Sequence, residues 1–155
     1  MLKLYKFSGT QKEYWETWRH GHSHIVHWGL VGSEGKIKKI KSTRTQTVEE
    51  RIALEIQMQL ANGFEEKEGQ CVLLVEYAIE GFITPENLKK RHHLEERMNE
   101  ALGWRGLGRC EGGNIGSNVL ELCNLVVDFE LAKSVIERDL AGTEFANYTR
   151  IYSGD

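Results

Sequence analysis

The chain predicts an α+β protein, an antiparallel sheet with one helix followed by a βαββαβ unit, and three observations carry that prediction. Four short β-rich runs follow one another in the first 41 residues, with turn residues between them. Three later stretches each begin with a helix-capping residue and continue with apolar side chains at helical spacing. Two nearly continuous apolar runs, CVLLVEYAI and SNVLELCNLVVD, alternate with the last two of those helices. The connector EEKEGQ has no apolar residue, and it divides the 155 residues into predicted domains 1–68 and 69–155.

In the first domain the runs are LYKFSG, KEYWETW, HIVHWGLV and KIKKIK, separated by GT, HGHS and GSEG, the spacing of an antiparallel meander. Alternation places Trp28 with Val26 and Leu30 on one face of the third run, against Ile25, His27 and Val31 on the other. Aromatic or branched residues occur on both faces, so the pattern leaves the core-facing side open. Thr47 and Glu50 form the two ends of a capping box. Val48, Ile52, Ile56 and Leu60 then make a stripe that packs on the sheet, and Gly63 ends the helix. One face of the sheet is thereby covered and the other left for a partner.

In the second domain Thr84 caps a helix with Pro85 at its first position, and Leu94, Met98, Ala101 and Leu102 point inward. Asp128 caps the next helix, with Leu131, Val135, Ile136 and Leu140 inward. The segment LGRCEGG pairs with SNVLELCNLVVD as a hairpin through NIGS, and TEFANYTRIY is the last strand. The order βαββαβ is that of a ferredoxin-like sandwich.

Charge and cysteine content limit the function classes. The formal net charge is only -3, but nine Lys and Arg face three acids through Val48, whereas the remainder holds 11 basic and 20 acidic residues. A basic sheet joined to an acidic remainder suggests an anionic partner for the first end. Three cysteines without a CxxC pair, and no long apolar span, point to a reduced cytoplasmic protein with no membrane partner. No Ser-His-Asp order, HExxH or phosphate-binding loop motif is present, so the chain reads as a non-enzyme without cofactor.

The words WGLVG and EGK, the basic strand IKKIK and a helix closing in NGFEE stand in an order that resembles the WGR domain, over about Leu4 to Glu66. That family occurs in poly(ADP-ribose) polymerases that sense DNA breaks and in bacterial proteins lacking the transferase. The resemblance implies that Trp28 packs against a nucleic-acid end. The family's arginine two residues later is Leu30 here, which leaves Arg19, Lys36, Lys38, Lys39 and Lys41 to contact phosphate.

Read from its own chemistry, Trp28 is either a stacking platform for a base or a plug in a small core. His20, His22 and His24 alternate, yet Gly21 and Ser23 break a common face, and an exposed turn is preferred to a metal site. The glycine-rich segment WRGLGRCEGGNIGS lies between helix and strand, the wrong order for a phosphate cradle. It is expected to approach a protein partner through residues 103–117, with Trp104, Arg105 and Arg109 as contacts. Nucleic-acid binding, DNA before RNA, through residues 19–41 is the expected function. The alternative is a protein-interaction or small-ligand-sensing adaptor.

Overall fold

The computed structural model describes residues 1–81 and 83–155, which form two compact units, Met1–Lys67 and Glu68–Asp155. The first contains β1 (Leu2–Ser8), β2 (Gln11–His20), β3 (Ser23–Leu30), β4 (Lys36–Ile40), α1 (Val48–Ala61) and β5 (Glu65–Glu66). The sheet order is β4-β3-β2-β1-β5, an antiparallel meander closed by one extra strand. β5 falls inside the predicted connector, where Glu66 and Glu65 pair with Leu4 and Tyr5. Two exposed acids carry no apolar pattern, so only backbone pairing reveals that strand.

The register decides which face is core. Leu4 stands opposite Trp15, Trp15 opposite Trp28, and Thr17 opposite Val26. Leu4, Trp15, Val26 and Ile40 are buried with Val48 and Ile52 of α1, and Trp28, Ile56 and Phe64 pack at the margin. The capping box forms as expected, with Thr47 Oγ1 accepting from the Glu50 amide at 3.1 Å and Glu50 accepting from the Thr47 amide at 2.8 Å. Leu60, expected in the buried stripe, is exposed. A spacing of four advances about 40° beyond a full turn at each step, so the stripe has rotated off the sheet by its last member.

The second unit contains β6 (Cys71–Ala78), α2 (Pro85–Gly103), β7 (Gly108–Gly116), β8 (Val119–Val126), α3 (Phe129–Leu140) and β9 (Arg150–Ser153). Its sheet order is β7-β8-β6-β9 with antiparallel neighbours throughout, the ferredoxin-like arrangement. Leu73, Val75, Tyr77, Leu120 and Leu122 on the helix-facing side are buried, as are Leu94, Met98 and Leu102 of α2. On α3 the inward set is Ala132, Val135, Ile136 and Leu140, whereas Leu131 is 38% exposed. Helical phase favours the small Ala132 where a size-based reading favours leucine.

Two other expectations shift. The glycine-rich segment is a strand with a bulge between Cys110 and Gly112, and its turn is Ser117–Asn118 rather than NIGS. Gly113 allows close packing, since a Cβ there would lie 2.6 Å from Arg91 Cγ of α2. The predicted last strand begins only at Arg150, because residues 143–149 form turns and bends that Tyr77 of β6 ties at Phe145. The fully buried Tyr77 hydroxyl donates to the Phe145 carbonyl at 2.8 Å, and burial pushes its titration upward. Tyr77→Phe leaves that carbonyl without its donor and is expected to lower stability by about 1–2 kcal/mol in urea denaturation, with little change in packing.

Candidate nucleic-acid interface

Trp28 lies on the helix-facing side of the sheet, half-buried between Trp15 of β2 and Lys36 of β4. Its inner part packs on the core cluster. Its outer part lines a pocket of about 230 Å³ together with Glu13, Trp15, Lys38, Glu55, Gln59 and Phe64. The Lys38 ammonium stands 5.7 Å from the Trp28 ring centroid and 2.9 Å from Glu55 Oε1 of α1. Leu30 is 51% exposed.

The predicted cations do not form a single row. Arg19 and Lys38 share the helix-facing side, and α1 supplies a carboxylate to each. Arg19 Nη1 donates to Glu49 Oε1 at 2.5 Å and its Nε to the Gly21 carbonyl at 3.1 Å. The Arg19 guanidinium holds the Glu49 carboxyl below the usual carboxylate range. Lys39 pairs with Ile25 and belongs to the opposite face. Lys36 opens β4, and Lys41 follows its end, where the Lys41 carbonyl accepts from Arg51 Nη1 at 2.5 Å. What Lys36, Lys38, Lys39 and Lys41 share is the outer edge of the sheet, since β4 has a neighbour only on its β3 side. His20 pairs with Ser23 and His24 with Arg19, so these two histidines fall on opposite faces, separated by a turn in which Gly21 has φ +61°.

In the second unit, Trp104 caps the end of α2 and is 42% exposed, its indole N–H donating to Glu100 at 3.1 Å. Arg105 folds back to the Ala101 carbonyl at 3.0 Å. Arg109, on β7, pairs with Glu111 at 2.6 Å. Two of the three proposed contacts therefore sit at a helix end, and the third lies on a strand.

Sequence reasoning missed a polar network on the helix-free face. Glu16 and His27 are cross-strand neighbours, 4% and 1% exposed, with His27 Nδ1 2.8 Å from Glu16 Oε1. His27 Nε2 lies 2.5 Å from the Glu34 carbonyl and 3.0 Å from the Tyr14 hydroxyl, which donates to the Ser33 carbonyl at 3.0 Å. Lys3 stands 3.5 Å from the other Glu16 oxygen. The loop 31–35 thus folds over the face expected to be bare. Glycines permit that approach. A Cβ on Gly29 would lie 2.7 Å from Gly35 Cα, and one on Gly35, at φ +66°, would collide with the Trp28 carbonyl and the Tyr14 hydroxyl. A pair of short turn words, WG and GSEG, was the only signal that sequence offered.

Two expected outcomes follow from this geometry. Gly35→Ala combines left-handed backbone strain with a collision and should cost at least about 2 kcal/mol in urea denaturation, because the loop must leave its seat. Burial, with the Glu16 charge as a second cause, pushes the Tyr5 hydroxyl from 10.0 up to about 12. The unfolded chain therefore releases that proton first as pH rises. The associated stability is intact below pH 10 and declines toward pH 12 by about 1 kcal/mol per unit. Tyr5→Phe should remove that component of the alkaline slope, measured as urea midpoints against pH.

No family model, curated protein or solved structure matches this chain.

Proposed function

We propose that the first unit is a non-enzymatic nucleic-acid-binding module, for DNA before RNA, that holds the phosphate backbone along the outer edge of β4. One observation supports this reading best. Lys36, Lys39 and Lys41 are exposed along that edge, and among the described residues none has a carboxylate within ion-pair distance. Arg19 and Lys38 are engaged by Glu49 and Glu55 and contribute less. Flexible ammonium groups hold phosphate as point charges, so the expected binding is insensitive to base sequence.

The second unit carries nine basic and 15 acidic residues, and the helix-free side of its sheet offers no stacking surface on its two central strands. The residues there are Val72, Leu74, Glu76, Glu121, Cys123 and Leu125, and Glu76 and Glu121 are engaged by Arg150 and Tyr152 at the edge. Stacking modules on such sheets need aromatic side chains at those central positions. A protein partner suits this unit better.

The test is fluorescence anisotropy of a labelled DNA duplex over a series of salt concentrations. Replacing Lys36, Lys39 and Lys41 together by alanine should weaken binding and reduce the slope of log affinity against log salt by about 2–3, one counterion for each phosphate that no longer meets an ammonium. An unchanged slope in the folded triple variant rejects the β4 edge as the surface that meets phosphate.

A further inference from the structure

We propose that the pocket beside Trp28 is a receptor for an alkylammonium group, the end of a lysine side chain from another protein or a polyamine. This goes beyond the phosphate reading and does not depend on it.

The lining and size of the pocket select that chemistry. Its lining includes three aromatic residues, Trp15, Trp28 and Phe64, a residue type whose π faces attract cations. Its charged members are Glu13, Glu55 and Lys38, an excess of one negative charge. Glu13 is half-buried, and among the described residues it has no cation within ion-pair distance. The molecule also supplies its own example of the ligand: the Lys38 ammonium rests over the Trp28 ring at 5.7 Å while bonded to Glu55 at 2.9 Å. A volume of about 230 Å³ is small for a drug-sized molecule and suits a single side-chain end.

Glu13 and Glu55 enter from different elements, β2 and α1, so an incoming ammonium pairs with Glu13 and either leaves Lys38 on Glu55 or displaces it. The two modes separate on removal of Lys38. If Lys38 competes, Lys38→Met tightens binding, because that change keeps the chain's bulk over Trp28 and deletes its charge. If Lys38 stays, the affinity is unchanged.

The experiment is a titration of the full chain followed by the indole N–H signals of Trp15 and Trp28. The probes are the Nα-acetyl forms of lysine amide, Nε-trimethyl-lysine amide and uncharged norleucine amide, together with spermidine. Saturable shifts of both indoles with at least one amine, none with norleucine amide, and roughly tenfold weakening in Glu13→Gln are expected. Tighter binding of trimethyl-lysine amide than of spermidine assigns the site to a protein side chain, and the reverse order to a polyamine. Equal shifts with norleucine amide, no weakening in Glu13→Gln, or no saturable shift in either wild type or Lys38→Met overturns the proposal. Both substitutions replace side chains outside the buried core by ones of similar size, and the amide spectrum verifies that each variant is folded. Salt-dependent DNA binding by the same samples is a separate readout, so failure of the pocket leaves the β4 edge untouched.

Discussion

The first unit depends on the seating of one loop. Gly29 and Gly35 touch where any side chain would intervene, and Tyr14 and His27 hold the Ser33 and Glu34 carbonyls from the sheet below. Burying Glu16 and His27 is costly unless each finds partners, and here every ring nitrogen of His27 does. The consequence reaches the surface directly, because Lys36 follows Gly35 and starts β4. With the loop seated, the chain re-enters the sheet in register and presents the lysine edge. With the loop displaced, β4 loses its fixed start.

This arrangement also explains the Trp-Gly pair in physical terms. Trp28 points toward α1 and contributes to the core margin and the pocket, whereas its successor turns toward the opposite face, where the loop needs the space. The backbone carbonyl of Trp28 lies against Gly35. A single dipeptide therefore serves both faces, and the half-buried indole is closer to the plug than to a free platform.

Legibility in the sequence followed the range of the interaction. The caps at Thr47, Thr84 and Asp128 involve residues three apart and were readable, as was the βαββαβ order that produces the second sheet. Phase was harder. Leu60 and Leu131 look like core by composition, but Leu60 is rotated off the sheet by the end of its stripe and Leu131 yields the inward position to Ala132. The Glu16–His27–Tyr14 network was not readable at all, because its members are 11 and 13 residues apart and a polar residue on a two-faced strand normally signals solvent. The division of the cations was hidden for a related reason: period two assigns Lys38 and Lys39 to opposite faces but does not reveal that Glu49 and Glu55 wait on α1.

That division sharpens what the basic surplus can mean. Three acids of α1 follow the lysine strand in sequence, and two of them neutralise cations across the sheet, so the charge excess counted through Val48 overstates the field that a phosphate would meet. The remaining lysines sit on an edge with unpaired backbone groups, where positive charge also discourages another chain from adding a strand. Edge protection needs only repulsion between copies and is served by any charged side chain at any position along β4. Phosphate binding needs cations spaced along the edge and unopposed by acids. Among the described residues no carboxylate lies within ion-pair distance of Lys36, Lys39 or Lys41, whereas Lys38 on the same strand and Arg19 on β2 each have one, a pattern that edge protection alone does not require.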